Sequence, residues 1–209
     1  MNEKVKEILE WGYCIIIALV LALLFRYFVG TPTIVQQRSM FPTLREDQRL
    51  ILNRTFRITK AGVERGDIIT FEAPNKKFTE IDVDQTNPVA VYDEKDMNVF
   101  EKFLYYNLEI TKTSYIKRVI GVAGDHIKIE NGKVYLNGKE LEEEYLSDDV
   151  VTKSDVFNDF IVPEGHFFAM GDNRTKSIDC REVGCIPLEK LEGIVCFRFW
   201  PFTVFGKID

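Results

Sequence analysis

The chain has 209 residues, which at about 150 residues per domain allows one large domain or a core with an inserted lobe and excludes a multi-domain assembly. Its composition, 45% hydrophobic, 12% aromatic and 29% charged, is that of a packed globular protein and excludes disorder or a collagen-like chain. With 27 basic against 33 acidic residues the net charge is −6, so no nucleic-acid partner is expected, because phosphate recognition needs a basic face.

Residues 1–10 are polar, with Lys4 and Lys6, and read as an N-terminal flank. From Trp11 to Val29 the sequence runs WGYCIIIALVLALLFRYFV with one charge, Arg26. As a helix this segment would extend roughly 28 Å, close to the hydrocarbon thickness of a bilayer. A core helix is the alternative, but a segment apolar on every side from Ile15 to Phe25 would need burial all round. A cleaved secretory signal is another, yet Arg26, Tyr27 and Phe28 stand where small residues would be required. Residues 11–29 are therefore expected to persist as one transmembrane helix, with Cys14 as a small hydrophobe inside it. Arg26, Arg38 and Arg45 on the far side outnumber Lys4 and Lys6, so flanking charge does not favour an inside N-terminus.

After Gly30 and Pro32 the pattern becomes mainly β. Strands are expected at Thr33–Gln36, Gln48–Asn53, Asp67–Phe71, Tyr115–Ala123, His126–Glu130, Val134–Leu136, His166–Met170 and Gly193–Trp200. Asn131-Gly132 signals a type I′ hairpin and Asn137-Gly138 a further turn, which makes the neighbouring strands antiparallel. Residues 75–114 differ, with eight acidic residues against five lysines and one amphipathic stretch, MNVFEKFLYYNLEI, and read as an insertion. Phe100, Phe103, Leu104 and Leu108 are expected to line one helix face, packed on the protein rather than on a membrane. Residues 131–163 read as a second, smaller lobe. The layout is thus 30–130 for the first part of the core, 131–163 for the lobe and 164–209 for the rest of the core.

Four segments are dense in chemistry: QQRSMFPTL (36–44), RGDIITFEAP (65–74), YIKRVIGVAGD (115–125) and AMGDNRTKSIDCREVG (169–184). Ser39 stands in a turn between a short strand and Pro42, where a hydroxyl can project and suit a nucleophile; taken alone, the pattern reads as a solvated turn serine. In YIKRVIGV, Lys117 and Arg118 must point to opposite faces, so one cation faces the core. An arginine keeps its proton, but a lysine in an apolar pocket loses hydration, its pKa falls and it can serve as a general base. The plainer alternative is a lysine reaching to water. The last segment, 169–184, is by its bare pattern a well-bonded loop; its chemical use would be to hold the lysine, with a hydroxyl from Ser177 and a fixed Asp179–Arg181 pair. Only His126 and His166 are available as imidazoles, and Cys180 and Cys185 lack a second CxxC-type pair, so neither a metal nor an organic cofactor is expected. A Cys180–Cys185 disulfide stays open, subject to an oxidising compartment.

In this order, after one apolar segment, SMxPTL, KRVIGVAGD and GDNRxxSxDxR resemble the type I signal peptidases, membrane-bound serine proteases with a Ser–Lys dyad. The resemblance covers the anchor and most of the β core, and not residues 75–114. It implies two antiparallel β lobes, a core with a smaller inserted cap. It implies Ser39 as nucleophile, Lys117 as general base, Ser177 as the hydroxyl that orients the lysine, and Asp179 and Arg181 as its supporting pair. It also implies a single-pass plasma-membrane protein with its N-terminus in the cytoplasm and its catalytic domain outside. The implied partners are preproteins with small residues at −3 and −1, the lipid bilayer and a secretion translocon. Val35, Met40, Leu44, Tyr115 and Ile116 would line the shallow pockets for those side chains.

Where the family usually has serine or glycine two residues before the nucleophile, this chain has Gln37, so its amide would either complete the oxyanion hole or point away. Thr175-Lys176 and Cys180 also depart from the pattern and bear on loop support. Two rivals are weaker. A self-cleaving repressor would need a DNA-binding head. A catalytically silent, membrane-anchored β domain that binds preproteins or partner proteins would have no reason to keep both Ser39 and Lys117.

Overall fold

The computed structural model describes residues 3–93, 96–109, 112–147 and 149–208. Parts of four expected segments lie outside the described residues: Met1 and Asn2 of the flank, Glu94, Lys95, Ile110 and Thr111 of the insertion, Asp148 of the lobe and Asp209 at the end.

Helix α1 (Glu3–Phe28) takes in most of the flank read as residues 1–10, because no proline interrupts a run of good helix formers before Gly30. Its 26 residues correspond to roughly 39 Å, and none of them is buried. A core helix of this apolarity would be covered, whereas α1 is long and apolar enough to cross a bilayer and is bare.

The main sheet has the order β1-β2-β11-β3-β4-β9-β10, every pair antiparallel. Its strands are β1 (Gly30–Ile34), β2 (Arg49–Asn53), β3 (Ile68–Glu72), β4 (Ser114–Val122), β9 (His166–Met170), β10 (Ile186–Pro187) and β11 (Leu191–Trp200). The first strand begins three residues before the expected Thr33–Gln36 and includes Pro32. It pairs only with β2, so it is an edge strand, and an edge tolerates a residue with no N–H. The smaller sheet has the order β7-β6-β5-β8, from β5 (His126–Glu130), β6 (Lys133–Leu136), β7 (Lys139–Glu140) and β8 (Asp159–Ile161). Asn131 and Gly132 have φ of 53° and 82°, the left-handed pair that a type I′ turn between β5 and β6 requires. Strand β5 thus belongs to the smaller sheet, which begins at His126.

Side chains of both sheets, among them Phe71, Phe160, Phe167, Phe168, Ile127 and Val134, share one core. A second, smaller core of Val35, Met40, Leu44, Leu50, Leu52, Ile68 and Val195 lies under the turn that carries Ser39.

The insertion is knitted to the main sheet. Tyr105 Oη donates to Glu72 Oε1 at 2.7 Å, and Lys112 Nζ lies 2.8 Å from Glu192 Oε1. Within it, α3 (Val99–Phe103) opens on a capping box made by Asn98 and Glu101 and continues as a π turn, Leu104–Leu108. The expected packed face holds only in part: Leu104 and Leu108 are half-buried, but Phe100 and Phe103 are exposed, and the fully inward side chain is Tyr105, whose hydroxyl has a buried carboxylate to meet. Cys180 and Cys185, left open as a disulfide, are free thiols in the core, as are Cys14 and Cys196 outside it.

Candidate active site

Ser39 sits in a 3-10 turn, Arg38–Met40, entered from extended backbone at Gln37. The turn is closed by the Phe41 amide on Arg38 O at 3.2 Å and clamped by two donors from one asparagine. Asn173 donates its amide to Ser39 O and its Nδ2 to Arg38 O, each at 3.0 Å. Such a turn points Ser39 and Met40 inward, and both are buried.

Strand β4 faces that turn. Alternation sends Lys117 and Arg118 to opposite sides as expected, but both are buried rather than only one. Lys117 Nζ lies 2.8 Å from Ser39 Oγ, 78 positions away in the chain, and donates to Ile116 O at 3.1 Å. Burial pulls the Lys117 amine down to about 8, against the opposing charge of Asp179. An amine with that affinity for protons, touching a hydroxyl, can give up its proton near neutral pH and accept the one on Oγ.

The loop after β9 supports this contact. Arg181 Nε and Nη2 donate to Asp179 Oδ1 and Oδ2, both at 2.9 Å, and the Gly171 amide donates to Asp179 Oδ2 at 2.9 Å. Burial alone would raise the Asp179 carboxyl; the bonds and charge of Arg181, with the Gly171 amide, outweigh it and hold the group below its ordinary value. Asp179 also accepts from the Arg181 amide, capping helix α4 (Cys180–Val183). Gly171 has no room for a side chain, since a Cβ there would come 2.4 Å from Ser39 O and 2.1 Å from Ser177 Oγ. Ser177 departs from its expected role. Its hydroxyl lies against Gly171 and the Asp179 carboxylate and makes no bond to Lys117, whose bonds go to Ser39 and Ile116 instead.

Two ion pairs, one buried and one partly so, escaped the sequence reading. Arg118 Nε and Nη2 donate to Asp172 Oδ1 and Oδ2 at 3.1 and 3.0 Å, and Thr43 Oγ1 adds a 2.5 Å bond to Asp172. Arg174 donates to both oxygens of Glu143 and to Thr152 Oγ1, which ties the loop to the lobe. All the arginine and aspartate partners of the first pair lie inside the motif segments, but only the β4–β9 register, Arg118 opposite Met170, brings them together.

An open cleft of about 320 Å³ runs past Ser39 and Lys117, walled by residues 33–37 on one side and 112–117 on the other. Val35, Gln37, Tyr115 and Ile116 line it, as does Glu109 of the insertion. Met40 and Leu44, expected in the pockets, do not: the turn directs them into the core beneath, where both are fully buried. A larger concavity, about 780 Å³, opens beyond Phe41 and Pro42 toward the lobe and does not reach Lys117.

A family model described as signal peptidase, peptidase S26, matches residues 8–200. Among curated proteins, the chain is similar to signal peptidase I P of Bacillus subtilis subsp. natto, 32% identical over 98% of this chain and 95% of that protein. It is 33% identical to signal peptidase I of Bacillus licheniformis, over 100% of this chain and 97% of that one. Signal peptidase IB of Staphylococcus aureus is 31% identical over 96% of this chain and 93% of its own. A solved signal peptidase I from Enterococcus faecalis is 24% identical, with a TM-score of 0.40, over 64% of this chain and 97% of that chain.

Proposed function

Because the chain belongs to the signal peptidase family, peptidase S26, we propose that it cleaves signal peptides as a serine protease with Ser39 as nucleophile and Lys117 as general base. The observation that carries the assignment is the 2.8 Å contact between Lys117 Nζ and Ser39 Oγ in a buried site. Lys117 takes the Ser39 proton as Oγ attacks the scissile carbonyl, then passes it to the leaving amine. The acyl-enzyme is hydrolysed by water that the same amine deprotonates. The Ser39 amide supplies one oxyanion donor and Gln37 the second. Asp179 and Arg181 hold the loop that abuts the serine turn.

The substrate is a preprotein bound extended in the cleft. From Ser114 to Lys117, β4 pairs with β3 alone, since its pairing with β9 begins at Arg118, and β1 is likewise unpaired on its outer side. These two free edges support strand addition, with Val35, Tyr115 and Ile116 as the apolar surface that admits small residues at −3 and −1. The chain is anchored by α1 with its N-terminus in the cytoplasm and the protease outside, where translocated preproteins emerge from a translocon.

Cleavage of a purified preprotein by the full chain in detergent tests this reading. Its rate is expected to rise with pH through about 8, because the neutral amine becomes populated as pH passes the Lys117 value. A rate independent of pH between about 6 and 10 would remove Lys117 from the chemistry. Gln37 lines the cleft with its side chain exposed and uncommitted to capping the turn. Gln37→Ala is expected to lower turnover at least about tenfold, the effect of losing one oxyanion donor, and unchanged turnover would reject side-chain donation.

A further inference from the structure

Residues 99–108 carry apolar side chains outward. Val99 is 87% exposed, Phe100 67%, Phe103 39% and Tyr106 44%. Their spacing over successive turns puts them on one face, opposite the buried Tyr105. The element ends against α1: Arg26 Nε donates to Asn107 O at 3.0 Å and Nη2 to Leu108 O at 3.2 Å. Arg26 lies in the last turn of α1, where a spanning helix leaves the hydrocarbon. Ten residues at about 1.5 Å each keep the whole stripe within about 15 Å of that exit. Helix α2 (Phe56–Thr59), which also touches α1, exposes Ile58.

We propose that residues 97–108 form an interfacial element that lies in the headgroup and acyl boundary of the bilayer, with Val99, Phe100, Phe103 and Tyr106 in lipid. The occupant is lipid because the stripe adjoins the uncovered apolar surface of α1. The proposal rests on α1 spanning the membrane and not on the assignment of Ser39 and Lys117. It makes the insertion a second contact between the domain and the membrane.

The test uses the full chain in phosphatidylcholine vesicles, with Trp11 and Trp200 replaced by phenylalanine and one tryptophan introduced at a time. Phe100→Trp is expected to lose roughly half its emission to brominated acyl chains. Ile81→Trp, at a position 95% exposed in the loop after Phe78, is expected to stay unquenched. Leu19→Trp reports the span itself, and its emission must be quenched; if it is not, the premise and the proposal both fall. If Leu19→Trp is quenched while Phe100→Trp is not, the proposal alone is overturned, whether the new tryptophan emits as in water or as one shielded by a second copy. A second readout concerns turnover. Phe100→Ser with Phe103→Ser is expected to slow cleavage of a bilayer-embedded preprotein about fivefold and to leave cleavage of a short soluble peptide within about twofold. Equal effects on the two substrates would overturn the proposal.

Discussion

Lys117→Met is expected to abolish useful turnover while making the protein more stable at neutral pH. General-base removal costs up to about four orders of magnitude in rate. Ser39→Ala is expected to fall at least as far, and the double variant no further than either single one, because nucleophile and base act as a unit. The stability gain follows from the same burial that suits the lysine to its proposed role as base. Its folded value is about 8 against 10.5 in water, so holding the ammonium in the site costs about 3 kcal/mol at pH 7. Between pH 8 and 10.5 the unfolded chain binds more protons than the folded one, so wild-type stability rises with pH across that window. The advantage of methionine should therefore be largest below pH 8 and fade toward pH 10.5. Thermal melts in detergent across this range check it; a methionine variant less stable at every pH would show that the amine sits there without strain. Substantial preprotein cleavage by Ser39→Ala would sink the dyad altogether.

Arg181→Ala is expected to cost about 3 to 5 kcal/mol, because it strips the fully buried Asp179 carboxylate of its ion-pair partner and of two hydrogen bonds. Arg181 also donates to Arg174 O at 2.9 Å and Lys153 O at 3.0 Å, so those carbonyls lose their partner as well. The loss should fall partly on activity, since Asp179 holds the Gly171 amide and Gly171 abuts Ser39. Asp179→Asn with Arg181→Met removes both charges and is expected to recover part of the loss. Denaturant titration separates these cases, and an Arg181→Ala variant within about 0.5 kcal/mol of wild type would mean that the pair contributes nothing to the fold.

What could be read from the sequence followed the range of each signal. Alternation along YIKRVIGV separates Lys117 from Arg118 within two residues, and asparagine-glycine turns announce themselves, so β4 and the β5–β6 hairpin were legible. Strands β7, β8 and β10, two or three residues long, are too short to show a period. The partnership of Arg118 with Asp172 spans 54 positions and depends on register, which no window displays. Met40 and Leu44 were assigned to the cleft by their position in the motifs that carry the resemblance, whereas a tight turn reverses direction within two residues and sends them into the core. The apolar face of residues 97–108 was legible as amphipathic, but periodicity says nothing of which side meets protein when a polar ring such as Tyr105 has a carboxylate waiting for it.

Glu109 stands at the wall of the cleft while binding Arg26 of α1 at 3.2 Å and the buried Arg54. The joint is a strut and not a tether. A protease on a loose leash would sample many heights and tilts above the lipid, and a passing polypeptide would have to find it. In the membrane topology proposed above, this brace would set the scissile position at one altitude, and how far a substrate's own hydrophobic stretch lifts its cleavage point out of the lipid would become a ruler against which preproteins are measured.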